Sequence, residues 1–93
     1  RSTMQLNVER GAPMTGKTIR LRQKAREAGQ DEHQIIHGNA YDLADLELLV
    51  RHRIGRGARV ICIDECSEEQ IDRLTALQRR LPSELTIHAV VAN

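Results

Sequence analysis

One eight-residue segment constrains this chain more than any other, because it fits the pattern G-x-x-x-x-G-K-[ST] at every specified position. Its residues are Gly11, Ala12, Pro13, Met14, Thr15, Gly16, Lys17 and Thr18. Glycines let the backbone curl so that successive N–H groups point at one anion, and a helix beginning near Gly16 would add its positive end. The pattern predicts a phosphate-binding loop with Lys17 at the terminal phosphates and the Thr18 hydroxyl on Mg²⁺. The alternative is a glycine-rich turn that binds nothing.

Length and composition set the limits of the fold. A chain of 93 residues predicts one small domain, and a single aromatic residue, Tyr41, requires an aliphatic core. A formal charge of +1 gives no general attraction to nucleic acid or membrane. No apolar run approaches a membrane span and the N-terminus lacks a signal-peptide pattern, so we expect a cytoplasmic protein without a membrane partner. Residues 1–3 resemble a cloning scar, which leaves 4–93 as the domain.

Hydrophobic periodicity predicts alternating strands and helices. Apolar or alternating segments indicate strands at 4–10, 34–37, 59–63 and 85–92. Helical spacing of apolar residues, with Asp42 as an N-cap and a capping box from Ser67 to Gln70, indicates helices at 16–28, 42–54 and 67–81. Short links between strands and helices favour right-handed crossovers. We therefore expect an α/β fold in which a four-stranded parallel sheet lies between helices on both faces, a three-layer α/β/α sandwich.

A second polar motif comes after the third strand. Asp64 and Glu65 come directly after four apolar residues, and the carboxyl ends of parallel strands are where such sheets bind ligands. A nucleotide hydrolase needs two carboxylates there with different tasks. Asp64 would hold Mg²⁺ through its water shell, and Glu65 would orient or deprotonate the attacking water. The alternative is that both residues only begin a turn before the Ser67 cap.

With these two motifs the chain resembles the P-loop NTPases, in particular their additional-strand, catalytic-glutamate division, which includes AAA+ and RecA-like ATPases. Gly11–Thr18 corresponds to the Walker A motif and Val60–Glu65 to the Walker B motif. The resemblance implies ATP as the ligand, Mg²⁺ as the metal and a strand order of 1-4-3-2. It also implies that Asn93, at the end of the fourth strand, is a polar sensor of the γ-phosphate.

The chain departs from this family beyond the fourth strand. Families of this division usually add a fifth strand outside the first, and AAA+ proteins add a helical lid; we expect neither within these 93 residues. The first strand would then be a sheet edge, for which we expect a cover in the form of a homo-oligomer or a further domain. The first choice of function is ATP hydrolysis. A small-molecule kinase of bacterial thymidine kinase type is the runner-up, and a non-catalytic nucleotide-dependent adaptor is a third possibility.

The remaining polar residues have ordinary explanations as well as functional ones. Basic residues gather at helix ends, as helix dipoles favour, although the run from 51 to 59 could bind nucleic acid or supply an arginine finger to a neighbour. Cys62 and Cys66 are expected to be buried, reduced thiols, since a zinc site would need two more ligands, such as His37 and His88. His37 ends the second strand and is the histidine better placed to meet a substrate.

Overall fold

The computed structural model describes residues 3–12 and 15–92. Within these residues, strands and helices alternate in the predicted order. They are β1 (Gln5–Glu9), α1 (Lys17–Glu27), β2 (Ile36–His37), α2 (Leu43–Gly55), β3 (Val60–Cys66), α3 (Glu68–Ala76) and β4 (Thr86–Val91). Two short 3-10 turns, Glu32–Gln34 and Gly38–Ala40, lie on either side of β2.

The four strands form one parallel sheet in the order β1-β4-β3-β2, which confirms the predicted topology. β4 lies at its centre beside β3, with Cys62 opposite His88, and β1 pairs with the other side of β4. Because all strands run the same way, their carboxyl ends meet at one edge of the sheet. The first strand is an edge strand, as expected.

Helices cover both faces of the sheet, which confirms the three-layer arrangement. On one face α1 packs Leu21 and Ala25 against Cys62 and Val90. On the other face α2 and α3 cover a larger core that is entirely aliphatic apart from sulfur-containing side chains. The fully buried side chains at its centre include Val50, Ile61, Ile63 and Ile87. Burial of each such side chain contributes about 1.5–3 kcal/mol, so this face supplies most of the apolar stabilisation.

The two predicted N-caps are both present. The Asp42 carboxylate accepts a hydrogen bond from the N–H of Asp45 at 2.7 Å. Ser67 and Gln70 form a reciprocal capping box at the start of α3. These side chains satisfy N–H groups that no helical carbonyl can reach, and so they fix where α2 and α3 begin.

Several predicted boundaries are wrong. β2 starts at Ile36 instead of residue 34, because Asp31 and Gln34 form a capping box that holds residues 32–34 in a 3-10 turn. β3 continues past residue 63 to Cys66. The third helix ends at Ala76 rather than at residue 81, and turns follow it.

In the part of the chain that the structure describes, no helix has both the length and the apolarity that crossing a membrane requires.

Candidate functional site

Residues 11–18, which follow β1 and include the first two residues of α1, form a segment that we call the glycine loop. Both of its glycines adopt positive φ, 147° at Gly11 and 85° at Gly16. Gly16 is the N-cap of α1. Because glycine has no side chain, no N-cap side chain accepts hydrogen bonds from the first N–H groups of the helix. Thr15 donates its hydroxyl to the carbonyl of Ala12 at 2.9 Å. Pro13 and Met14 lie outside the described residues.

Lys17 is buried, with 7% of its surface exposed. Its ammonium donates to the carbonyl of Gly11 at 2.7 Å and to that of Val91, at the end of β4, at 3.1 Å. Both partners are neutral, and within residues 3–12 and 15–92 no carboxylate forms an ion pair with Lys17. A buried cation without a counter-ion is unfavourable. An anion bound at this edge of the sheet would therefore be stabilised by the ammonium.

Asp64 is the second buried charge at this edge, with 6% exposure. Its Oδ2 accepts the Thr18 hydroxyl at 3.2 Å, and its Oδ1 accepts the backbone N–H of Glu65 at 2.9 Å. The fold thus brings the glycine loop and the end of β3 together across 46 residues of sequence. A hydroxyl and a carboxylate are hard oxygen donors of the kind that Mg²⁺ prefers.

These two oxygen donors fit a cation that keeps other ligands of its own. In the described part of the chain, no group of three or more His, Cys, Asp or Glu side chains could hold a metal. Mg²⁺ in nucleotide sites is typically bound by one or two protein groups, with phosphate oxygens and water completing its shell. Thr18 and Asp64 match that requirement and would hold Mg²⁺ only together with a phosphate ligand.

Glu65 comes directly after Asp64 but turns to the other side of the site. Its backbone has φ 55°, a left-handed conformation that costs a non-glycine residue about 1–2 kcal/mol. The register between β3 and β4 shifts between Ile63 and Cys66, so the strand is irregular where the two acids lie. Asp64 consequently contacts α1, whereas the exposed Glu65 side chain reaches the β2 side.

The last residue of β2, His37, and a residue of the turn after it, Asn39, contact the Glu65 carboxylate. Asn39 donates its amide to Oε2 at 3.1 Å, and Nδ1 of His37 lies 3.5 Å from Oε1. We identified His37 as the histidine better placed to meet a substrate, with an ordinary strand end as the alternative, but did not predict that either residue meets Glu65. The available signal was that both are polar and end the strand beside β3. Asn93 lies outside the described residues.

A cavity of about 440 Å³ opens beside Glu65. Its walls come from the Gly38–Tyr41 segment, from the Glu65–Gln70 segment and from Val91 and Ala92. The carbonyl of Val91 also accepts a hydrogen bond from the Lys17 ammonium, so this residue links the cavity wall to the glycine loop. A small molecule in this cavity would lie next to the Glu65 side chain, which is part of the cavity wall.

The arginines nearest the glycine loop are engaged by carboxylates. Arg10, which precedes the loop, forms a two-pronged pair with Glu68, with both N···O distances at 2.8 Å. The hydrogen bond from Arg10 lowers the pKa of Glu68. Arg20, on α1, pairs with Glu9. In the basic run from 51 to 59, Arg51 pairs with Glu47 within α2.

The cysteines are free and buried, and burial raises the pKa of Cys62 to about 11. Burial, with a smaller effect from the charge of Asp64, raises the pKa of Cys66 to about 12. His88 faces α1 from β4; burial, and then the positive charge of Lys24, lower its pKa. Both thiols are thus protonated at neutral pH, a poor state for binding a metal.

Comparison of the chain with protein-family models, with curated proteins and with solved structures gave no match. The case for a nucleotide site therefore rests on residues and contacts. These are the glycine loop with its uncapped helix end, the buried Lys17 ammonium and the Thr18–Asp64 hydrogen bond.

Proposed function

We propose that this chain is a P-loop domain that binds ATP with Mg²⁺ and hydrolyses the terminal phosphate. The observation that carries the proposal is the hydrogen bond between Thr18 and Asp64, with the buried ammonium of Lys17 beside it. A phosphate-binding loop explains why a cation is buried on neutral carbonyls and why the next residue meets a carboxylate. A plain glycine-rich turn explains neither feature.

Each residue of the site has one task in this proposal. The N–H groups of the glycine loop and the Lys17 ammonium bind the phosphates, and Thr18 and Asp64 hold Mg²⁺. When bound, Mg²⁺ neutralises charge that develops on the phosphate oxygens. Glu65 accepts a proton from water as the water oxygen bonds to the γ-phosphorus and the bond from that phosphorus to the ADP oxygen breaks. Asn93 is proposed to contact the γ-phosphate.

A small-molecule kinase is the second candidate, and the cavity of about 440 Å³ favours it. The cavity adjoins Glu65 and offers the amide of Asn39 and the ring of Tyr41 as walls. An acceptor hydroxyl bound there would take the place of water at the γ-phosphorus. If the chain binds ATP without any transfer, the adaptor function is the remaining candidate.

The partners are proposals too. We propose that a second copy of the chain or a further domain covers the outer edge of β1, since an uncovered edge strand leaves backbone groups unpaired. We place the protein in the cytoplasm. A nucleic-acid ligand for the basic run from 51 to 59 has weaker support, because Arg51 is paired and Arg53 donates to the carbonyl of Gln34 at 2.9 Å.

The test begins with nucleotide binding measured by calorimetry for ATP, GTP and their diphosphates with Mg²⁺. Hydrogen bonds to charged groups contribute about 1.5–3 kcal/mol, so Lys17→Ala should weaken ATP binding by about 10- to 150-fold. Lys24→Ala is the matched control, because it removes the same charge from an exposed position on the same helix and should bind normally. Unchanged ATP binding by Lys17→Ala would contradict the site.

Turnover separates the three functions. Phosphate release from ATP, reduced about 100-fold or more in Glu65→Gln with binding kept, supports hydrolysis. Transfer of phosphate to a nucleoside supports the kinase. Tight binding with neither reaction supports the adaptor.

A further inference from the structure

Gln70 is a buried side chain with more contacts than its place in the helix requires. It is 4% exposed, and its Oε1 accepts the N–H of Ser67 at 2.9 Å, which completes the capping box of α3. Its amide nitrogen donates to two further carbonyls, those of Gly38 at 2.8 Å and Tyr41 at 3.0 Å. A glutamate would serve the capping box equally well, because the box uses only the oxygen. The two bonds from the nitrogen therefore need another explanation.

Those two bonds hold both ends of one short turn. Gly38 begins the turn and Tyr41 closes it, with the N–H of Tyr41 donating back to the carbonyl of Gly38 at 3.1 Å. The turn is pressed against β3, since a Cβ on Gly38 would lie only 3.0 Å from the carbonyl oxygen of Glu65. Gln70 thus ties the end of β2 to the start of α3 directly over the two acids.

Asn39 is the middle of this turn, and it is the residue that hydrogen-bonds the Glu65 carboxylate. Glu65 is exposed and sits in a left-handed backbone conformation. The direction of its carboxylate consequently depends on the residues at the end of β2. Whatever fixes the turn fixes Asn39, and through Asn39 it orients Glu65.

We propose that Gln70 is a positioning residue for the reaction: by holding the Gly38–Tyr41 turn it keeps Asn39 against Glu65 and sets the direction of the carboxylate. This inference rests on the proposed function for its effect on turnover. Its effect on the Asn39–Glu65 contact is independent of that function.

Two substitutions of Gln70 and one matched control test the proposal. Gln70→Glu keeps an oxygen for Ser67 but cannot donate to both carbonyls, and Gln70→Leu removes every side-chain bond. Ser67→Ala removes the other half of the capping box, in which Ser67 Oγ accepts the N–H of Gln70 at 3.1 Å, and leaves the turn bonded. The control should therefore lose helix-cap stability without disturbing the turn.

We expect the two Gln70 variants to lower kcat and to leave KM for ATP nearly unchanged. Small misplacements of a reacting group cost up to about 100-fold in rate, so both Gln70 variants should lower kcat by about 10-fold or more. KM for ATP should change less than about 3-fold, because the substitutions do not alter the glycine loop. Ser67→Ala should melt earlier but keep kcat. A normal kcat in both Gln70 variants, or an equal loss in Ser67→Ala, would overturn the proposal.

Combining Gln70→Glu with Asn39→Ala tests the route. If Gln70 acts through Asn39, adding Gln70→Glu to the Asn39→Ala variant should reduce kcat by less than about 2-fold, since changes within one hydrogen-bond network are not additive. The full single-mutant loss in that background would show that Gln70 acts some other way.

The side-chain amide signals of Asn39 in NMR spectra give a readout without turnover. Loss of the contact in Glu65→Ala defines where these signals move, and Gln70→Glu should move them in the same direction. Ser67→Ala should leave them in place. Unmoved signals in Gln70→Glu would refute the positioning role. If the wild-type chain released no phosphate, hydrolysis would be wrong while these spectra still decided the role of Gln70.

Discussion

Gly38 is the point of closest approach between the turn after β2 and the end of β3, so a methyl group there should be costly. A Cβ would lie 2.8 Å from Gln70 Oε1, 3.0 Å from the Glu65 carbonyl oxygen and 3.2 Å from the Asp64 carbonyl oxygen. Two of the three neighbours are backbone atoms and cannot rotate away. Gly38→Ala must therefore move the turn or the strand.

The size of the effect is set by two opposing contributions. Overpacking a tight site costs about 1–3 kcal/mol. Replacing glycine also reduces the entropy of the unfolded chain, which returns about 0.4–1 kcal/mol. We expect Gly38→Ala to lower the free energy of unfolding by up to about 2.6 kcal/mol net, and the melting temperature by about 4–8 °C for each kcal/mol lost in a domain of this size.

Gly55→Ala provides the matched control. Gly55 is the last residue of α2, and a Cβ there would have no atom within 4 Å. Alanine should stabilise the helix by about 0.5–1 kcal/mol. Urea unfolding of both variants at one pH gives the two free energies, and equal m-values show that the unfolded states are comparable. If Gly38→Ala were as stable as Gly55→Ala, the close approach would not exist and the contact between Asn39 and Glu65 would lose its structural basis.

Two further predictions concern ionisation. The hydrogen bonds from Arg73 and then Arg51 lower the pKa of Glu47 below its ordinary value of 4.5, so the ionised folded state is favoured above that pH. Glu47→Gln should therefore be less stable than wild type in urea at pH 7, and the difference should shrink as the pH falls below 4.5 and disappear below the lowered pKa. A difference that did not begin to shrink below pH 4.5 would contradict the pairing. Burial raises the pKa of Cys62 to about 11 and that of Cys66 to about 12, so neither thiol is a reactive thiolate at pH 8. Iodoacetamide at pH 8 should therefore leave both thiols unmodified until urea is added. The intact mass of the protein measures this modification. Modification of the folded chain would show that the thiols are accessible.

The regular part of the fold was predictable because local signals and topology agreed. The caps at Asp42 and Ser67 and the apolar periodicities located the helices, and a helix between each pair of consecutive strands favoured a parallel sheet. The strand order came from the resemblance and not from periodicity. The predicted strand at 34–37 was partly wrong because Gln34 hydrogen-bonds the backbone N–H of Asp31, a local contact that competes with the sheet.

The glycine loop and the two acids were identified from the sequence because each motif is contiguous. The contact of Asn39 with Glu65 was not predictable, because it depends on the positive φ of Glu65 and on the shifted register after Ile63. Neither feature has a sequence signature, since an ordinary strand would accept the same residues. Gln70 was predicted only as a cap, since a sequence shows which residue can accept a bond three positions away but not which distant carbonyls its nitrogen can reach.

The choice of partners for Lys17 bears on how the site would bind an anion. Carbonyls of Gly11 and Val91 satisfy the buried ammonium without neutralising it. An incoming phosphate then exchanges a neutral acceptor for a charged one, and charge-assisted hydrogen bonds are roughly twice as strong as neutral ones. Had a carboxylate held Lys17 instead, the phosphate would first have to break a buried ion pair, which costs about 3–5 kcal/mol when one partner is removed. In the proposed site, the position of Asp64, bonded to Thr18 and making no ion pair with Lys17 among the described contacts, would therefore leave the cation available for phosphate.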